Sequence, residues 1–127
     1  MDIDDAILSY LRDHDEASLH SLHVAILRGE LVVPIADPVQ TVAPSHHDVP
    51  VICVRTSSGI GAIPAFTSVS KLLNWAPEGS QYALLTGRQL LSVALGMDDI
   101  SEIVVNPNNT PRGSIPRSDF ARMLSLQ

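Results

Sequence analysis

The apolar positions near the start of the chain recur at helical spacing. Between Asp2 and His14 they are Ile3, Ile7, Tyr10 and Leu11. This period predicts a short amphipathic helix. Asp2, Asp4 and Asp5 lie at its N-terminal end, where carboxylates interact favourably with the helix dipole.

A second helix is predicted to follow at once. Asp13 and Glu16 have the spacing of a capping box, and Gly29 is expected to end the helix in a left-handed conformation. The apolar stripe of this helix consists of Leu19, Leu22 and Ile26. The chain therefore begins with a pair of helices.

Six stretches have the composition of β-strands. They are residues 31–35, 49–56, 60–66, 82–85, 100–105 and 114–115. Ser57, Ser58 and Gly59 separate the second from the third, which predicts a β-hairpin. Pro34 has no N–H to donate, so the first strand is expected to lie on an edge or to end there.

Three more helices are expected between and after these strands. Thr67 and Ser68 are placed to cap the first, Thr86 and Gln89 to cap the second, and Ser118 to cap the third. Their apolar residues are Val69, Leu72, Leu73 and Ala76 in the first, Leu90, Leu91, Ala94 and Leu95 in the second, and Phe120, Met123 and Leu124 in the third.

This order mixes hairpin connections with helical crossovers. It predicts an α+β fold, with a mixed, mostly antiparallel sheet of about five to six short strands covered by helices, and the helical pair at the N-terminus. The 127 residues fit one domain, and no linker long enough to divide residues 1–127 is evident. A single domain is therefore expected.

Composition restricts the class of protein. Hydrophobic residues make up 45% and charged residues 17%, which is typical of a globular chain rather than a disordered one. No apolar run is long enough to cross a membrane, and the acidic N-terminus does not resemble a secretory signal, so we expect a cytoplasmic protein without a membrane partner. Cys53, the single cysteine, is expected to be a buried strand residue.

The charge distribution bears on partners. The net charge is −6, and residues 1–48 hold nine acidic residues but only two arginines. With one lysine, Lys71, and seven scattered arginines, the chain lacks the basic cluster that nucleic acid requires. An acidic face can attract a partner protein with a basic surface, although a solvated helix surface carries the same charges, and a homodimer is also compatible with the sequence.

Four features follow one another in an order that resembles the SseB protein N-terminal domain family. They are Leu31-Val32-Val33-Pro34, the hairpin entering Ala65-Phe66-Thr67-Ser68, Trp75, and Ile103-Val104-Val105-Asn106-Pro107. The resemblance covers about residues 17–124 and leaves residues 1–15 as an extra acidic helix. It implies an α+β domain from bacteria, in a family named for a serine-sensitivity phenotype and linked at times to secretion systems.

The candidate binding residues lie where strands end. Phe66, Thr67 and Ser68 join a strand to a helix, and Asn106 and Pro107 end another strand. Hydroxyl and N–H groups at the start of a helix can hold an anion or a peptide carboxylate, although an ordinary cap and an ordinary turn use the same residues. If both strand ends share one side of the sheet, Thr67, Ser68 and Asn106 line one pocket.

Trp75 is the remaining candidate for binding. It is the only tryptophan, near the end of a predicted helix and shortly before Pro77. An exposed Trp75 can anchor a protein interface, whereas a packed Trp75 belongs to the core. The sequence favours packing.

No pattern predicts catalysis, a metal or a cofactor. His46, His47 and Asp48 have metal-binding side chains, but neighbours on an extended loop point apart and no third partner follows. His20 and His23 lie one helical turn apart, and we expect His23 to be a packed, partly buried histidine. The chain has no nucleophile elbow of the Gly-x-Ser-x-Gly type.

Two hypotheses of function follow. The first is a non-enzymatic interaction module, which docks another protein through a sheet edge or through the loops at residues 36–48 and 106–113, in a regulatory, secretion-associated or toxin-neutralising role. The alternative is a sensor of a small ligand or anion, which uses Thr67, Ser68 and Asn106. An enzyme would require polar side chains converging in a deep pocket.

Overall fold

The computed structural model describes residues 2–35, 51–55 and 59–126, and its helices and strands follow the predicted order. The helices are α1 (Ile3–Asp13), α2 (Glu16–Arg28), α3 (Val69–Trp75), α4 (Gly87–Leu95) and α5 (Phe120–Leu124). The strands are β1 (Glu30–Pro34), β2 (Val54–Arg55), β3 (Gly61–Ala65), β4 (Tyr82–Thr86), β5 (Ile100–Val105) and β6 (Gly113–Pro116), and a 3₁₀ turn covers Arg117–Asp119. The α+β prediction is confirmed.

The described strands form two sheets. In one, β1 pairs with β4, and in the other the order is β2-β3-β5-β6. All neighbours are antiparallel except β3 and β5, which are parallel. The predicted hairpin is present as the antiparallel pair of β2 and β3, whose register places Val54 opposite Ala62. Parts of the expected strand 49–56 and of its turn lie outside the described residues.

Strand β1 links the two sheets. Besides its ladder with β4, Val32 exchanges two backbone hydrogen bonds with Phe66, at 2.7 and 2.8 Å. Pro34 ends the strand as expected, and its carbonyl accepts a hydrogen bond from the N–H of Ile52 at 3.0 Å. The missing N–H of Pro34 points away from β4, because it is Ile35 that donates to Gln81 on that side. The proline therefore leaves the β1–β4 ladder intact.

The main core lies between the helices and the two sheets. Its buried apolar residues are Ile3, Ala6, Ile7, Leu22, Ile26, Leu27, Leu31, Val33, Ile63, Ala65, Leu85, Leu90, Leu91, Ala94, Ile100, Ile103, Val105, Ile115, Phe120 and Met123. A smaller cluster on the other face of β1 consists of Val32, Phe66 and Leu72, with Trp75 packed against it. Successive strand residues point to opposite faces, so β1 contributes to both clusters.

Two of the expected helix ends differ in the structure. The N-cap of α2 is Asp15, which forms its capping box with Ser18, and not Asp13 with Glu16. The left-handed residue is His14, at the C-terminus of α1, with φ 50°. Gly29 has an extended conformation instead, and glycine is favoured there because a Cβ would lie 2.9 Å from the carbonyl oxygen of Ala25.

Three other expectations need correction. Of the apolar residues expected to pack on α3, only Leu72 is buried, whereas Val69 and Leu73 are 36% and 45% exposed, because this short helix packs through one side. Ser118 does not cap α5, since the chain enters the 3₁₀ turn first and the cap makes no side-chain hydrogen bond. Cys53 is exposed, because it precedes β2 and does not belong to it.

Candidate functional site

The ends of β3 and β5 bring two of the predicted residues together. Because these strands are parallel neighbours, both run to the same edge of the sheet. Thr67 follows β3 and donates its backbone N–H to Asn106 Oδ1 at 3.0 Å. Asn106 follows β5 and donates its own backbone N–H to the carbonyl of Ala65 at 2.7 Å. The proximity that the sequence left open is therefore present for Thr67 and Asn106.

Asn106 is the centre of this junction. It is fully buried, and its backbone is left-handed with φ 60°, a conformation that asparagine tolerates better than most residues. Both protons of its side-chain amide are used, one on Asp4 Oδ1 at 3.1 Å and one on the carbonyl of Pro111 at 2.9 Å. No amide donor of Asn106 is left for a ligand.

The carboxylate at this junction belongs to the chain itself. Asp4 Oδ1 accepts the hydroxyl proton of Thr67 at 2.7 Å, and Asp4 Oδ2 accepts from Lys71 Nζ at 2.7 Å. Burial by itself raises the pKa of the Asp4 carboxyl, but the hydrogen bonds and the lysine charge outweigh it, so that this pKa lies below its usual value. The predicted position for a peptide carboxylate thus holds a carboxylate from α1.

The other candidates serve local structure. Ser68 caps α3, since its hydroxyl accepts the backbone N–H of Lys71 at 3.2 Å. Pro107 offers its carbonyl to the side chain of Asn109 at 2.9 Å. Asn109 also donates to the carbonyl of Lys71 at 3.1 Å and accepts from Asn74 at 3.0 Å. These bonds tie the loop after β5 to α3.

The two aromatic candidates pack against each other. Phe66 is fully buried, and its ring centroid lies 5.6 Å from that of Trp75, at an interplanar angle of 48°. Trp75 is partly buried against the small cluster around Val32. The prediction that Trp75 packs is therefore confirmed, although part of its surface stays accessible.

A cleft of about 630 Å³ runs beside the junction. Its lining residues are Asp2, Ile3, Asp4, His20, Ser21, Val24, Ala25, Arg28, Gly29, Glu30 and Thr67. Thr67 borders this cleft, whereas Ser68 and Asn106 do not. The three polar residues predicted to share a pocket are thus divided between a cap, a buried junction and a cleft wall.

The remaining histidines and metal candidates contribute little here. His46, His47 and Asp48 lie outside the described residues. Among the residues that are described, no group of three or more His, Cys, Asp or Glu is arranged to hold a metal ion. His23 is 7% exposed, as a packed histidine should be, and burial lowers the pKa of its imidazole.

None of the helices described is long and apolar enough to cross a membrane.

The outer edge of β4 is a second surface of interest. Val32 directs its N–H and C=O toward Phe66, so the opposite residue, Leu84, directs the same groups away from β1. The same alternation places the backbone groups of Tyr82 on the outer side. In residues 2–35, 51–55 and 59–126, no strand pairs with that side of β4.

The side chains of this edge are apolar and accessible. Tyr82 is 43% exposed and Leu84 is 57% exposed. Leu84 lies opposite Val32 in the ladder, next to the small cluster that α3 covers. The N–H of Thr86 is taken by Gln89 Oε1 at 2.9 Å, which ends the accessible stretch.

Comparison with protein families identifies the fold. A profile of the SseB protein N-terminal domain matches residues 4–121. The chain belongs to this family. No curated protein and no solved structure matches the chain.

The SseB match begins inside α1, earlier than the resemblance at residue 17 suggested. This agrees with the packing of α1, since Ile3, Ala6 and Ile7 are part of the main core. Asp4 was missed in the sequence because an acidic residue in a first helical turn is sufficiently explained by the helix dipole. The sequence places Asn106 at the end of a strand but does not show that it is buried, and it is the burial that requires partners for its amide.

Proposed function

We propose that this SseB domain is a non-enzymatic module that binds another bacterial protein, and that it captures an extended segment of that protein along the outer edge of β4. The observation that carries the proposal is the placement of Tyr82 and Leu84, whose backbone groups point away from β1 and whose side chains are exposed. An added strand gains main-chain hydrogen bonds from such an edge, and its alternate side chains pack beside those of the edge strand.

The composition of β4 supports a recognition role. Natural edge strands are normally protected by proline, by lysine or by a bulge. Residues 80–87, Ser-Gln-Tyr-Ala-Leu-Leu-Thr-Gly, contain no charged side chain and no proline. In contrast, β6, at the edge of the other sheet, has Pro116. An unprotected apolar edge is costly for a protein that does not use it.

The same composition describes the partner segment. Because β4 offers no charge, the paired part of the segment should be uncharged, with β-branched or aromatic residues opposite Tyr82 and Leu84. Positive charges near the segment would be attracted by the net charge of −6 of the domain. The biological role is then regulatory, secretion-associated or toxin-neutralising, and the identity of the captured protein decides which.

The absence of enzymatic activity is part of the same proposal. Polar groups at the β3 and β5 ends are bonded to one another, and Asn106 and Asp4 use their hydrogen-bonding atoms internally. A catalytic group needs a hydrogen bond that it can make to a substrate instead. The junction is built to hold α1, β3 and β5 together.

A displayed library of random decapeptides provides the test. Peptides selected on the purified chain are titrated into ¹⁵N-labelled protein, and the amide exchange of Tyr82 and Leu84 is measured. Protection of both amides is expected. Leu84→Pro removes an outward N–H, as Pro34 does on β1, together with the leucine side chain, and should weaken binding by about tenfold or more.

Leu73→Ala is the matched control for the loss of an exposed apolar side chain. Leu73 lies on α3, 45% exposed, and its substitution should change affinity by less than about threefold. Circular dichroism confirms that both variants fold. Selected peptides that leave Tyr82 and Leu84 unprotected, or that bind Leu84→Pro as well as the unchanged chain, would overturn the proposal.

A further inference from the structure

A cleft of about 500 Å³ lies between the α1–α2 pair and the edge strand β6. Its apolar wall is formed by Ile7, Tyr10, Leu11, Leu19, Leu22 and Ile115. Leu11 is 48% exposed, so part of this apolar wall is accessible. This volume is in the range of pockets that hold a few side chains of a ligand.

The strand that borders this cleft has unsatisfied backbone groups. The backbone N–H of Asn106 points from β5 to β3. Because backbone groups alternate in direction along a strand, the N–H and C=O groups of Val105 and Ile103 point to β6. They form hydrogen bonds there with Gly113 and Ile115. Ser114, between these two, therefore directs its N–H and C=O outward. Pro116 has no N–H and ends this short accessible stretch.

His23 gives the cleft a buried polar group. Its side chain is 9% exposed, it lines the cleft, and its nearest charged neighbour is Asp119, whose Oδ2 lies 4.0 Å from Nε2. That distance exceeds a hydrogen bond. Asp119 is instead paired with Arg122. An imidazole in this position can still exchange a hydrogen bond with a bound peptide.

The charges around the cleft indicate what it attracts. Of the charged side chains that line it, Asp119 is paired with Arg122, which leaves Glu102 against Arg112. Asp15 and Glu16 lie one turn before Leu19 of its wall and have no salt-bridge partner among the described residues. Asp4 and Asp13 of α1 contribute less, because they are paired with Lys71 and Arg12. The potential over the cleft is therefore negative, and it favours a positively charged ligand.

We infer that this cleft binds an extended basic segment of a partner protein, with alternate apolar side chains in the Leu11–Leu19 wall and main-chain hydrogen bonds to Ser114. Lysine or arginine residues on its other face would meet Glu102 and the acidic helices. The inference is independent of the edge of β4, because no residue of β1 or β4 lines the cleft.

A decapeptide of alternating valine and lysine is the probe. Titrated into ¹⁵N-labelled protein, it should shift the amide of Ser114 and the imidazole signals of His23, and its Kd should rise with NaCl concentration. A decapeptide of alternating valine and glutamate should not bind. Equal binding of the two peptides would overturn the inference.

Two charge-matched variants separate the cleft from general attraction to acidic helices. Leu11→Arg blocks the apolar wall and should raise Kd by about tenfold. Leu8→Arg adds the same charge to the same helix, where Leu8 is 52% exposed and does not line the cleft, and should raise Kd by less than about threefold. Equal effects of the two would show nonspecific attraction and would overturn the inference.

Two further variants keep the result interpretable if Leu11→Arg does not fold or if the peptide binds at β4. Leu11→Ala replaces Leu11→Arg if circular dichroism shows that the arginine variant does not fold, with the same direction of effect. Leu84→Pro, in β4, should leave the valine–lysine affinity unchanged. Loss of binding in Leu84→Pro alone would assign the peptide to β4, which contradicts the cleft and leaves the proposed function standing.

Discussion

The side-chain amide of Asn106 donates a hydrogen bond to Asp4 Oδ1 at 3.1 Å, across a separation of 102 positions in the chain. This bond joins the first helix to the end of β5. Lys71 and Thr67 also donate to the same carboxylate, from the start of α3. One acidic side chain thus connects three elements that local sequence patterns predict separately.

Asn106→Ala should lower the free energy of unfolding by about 2 to 4 kcal/mol, because it removes three buried hydrogen bonds at a left-handed residue. Asn108→Ala is the control, since Asn108 is also left-handed, with φ 61°, but exposed. Asn108→Ala therefore measures only the cost of placing an alanine at a left-handed residue. Urea denaturation of both variants checks this, and equal losses would mean that the hydrogen bonds add nothing.

Asp4→Ala should cost about 1 to 3 kcal/mol, because it leaves buried donors without their acceptor. Asp5→Ala also removes a carboxylate from the first turn of α1, but its side chain is exposed, and the helix dipole alone is worth about 0.3 to 1 kcal/mol. The comparison is made by urea denaturation at pH 7. A larger loss in Asp5→Ala would contradict the assigned network.

The carboxylate of Asp4 should also contribute less to the stability of the fold at low pH. The folded pKa of Asp4 lies below its usual value of 3.8, so its contribution is fully present above pH 3.8 and is lost as pH falls through the folded pKa. The stability difference between the unchanged chain and Asp4→Asn should therefore shrink over that interval. A difference that stays constant down to the lowest pH would exclude this titration.

His23 should make the domain less stable in mild acid. Burial lowers the pKa of its imidazole below 6.5. As pH falls from above 6.5 through the folded pKa, the unfolded chain therefore binds more protons than the folded chain, and the free energy of unfolding decreases. His23→Gln should reduce this slope of unfolding free energy against pH. His20→Gln, on the exposed side of the same helix, should retain the slope.

Gly87→Ala should destabilise the fold by about 3 kcal/mol or more, because α4 begins against the end of α2. A Cβ at Gly87 would lie 1.8 Å from the carbonyl oxygen of Ile26. At Gly96, at the other end of α4, the nearest atom would be 3.5 Å away, and Gly96→Ala should be tolerated. Thermal unfolding measures both, and similar Tm values for the two would refute the close approach.

Arg117→Met should cost about 2 kcal/mol, because the guanidinium donates to carbonyl groups at the end of α4 and in the turn that leads to β5. Nη1 donates to Met97 at 2.7 Å and to Ile100 at 2.8 Å, and Nη2 donates to Leu95 at 2.9 Å. Arg122→Met removes an arginine that is 63% exposed and should cost less than about 1 kcal/mol. Urea denaturation should separate them.

The order of elements could be predicted because each element carries its own local period. The capping box of Thr86 with Gln89 and the bounds of β5 were correct, since both depend on residues close in sequence. Gly29 ends α2 as predicted, but its expected left-handed conformation was wrong, because the chain leaves the helix in an extended conformation that leads directly into β1.

The candidate site was predicted only in part. Thr67 and Asn106 were identified from strand ends, but their proximity depends on the parallel pairing of β3 with β5. Asp4 could not be found, because nothing in the local pattern of a first helical turn distinguishes a dipole partner from a buried acceptor. The edge of β4 likewise depends on the ladder, since Tyr82 and Leu84 would be ordinary strand residues at any other register.

The bond between Asp4 and Asn106 also constrains how the chain folds during synthesis. Asp4 is synthesised before Asn106, which is added 102 residues later. At translation rates of about 5 to 20 residues per second, the nascent α1 waits at least about 5 seconds for this acceptor–donor pair. Throughout that interval the carboxylate of Asp4 lacks the donor that Asn106 supplies in the finished fold.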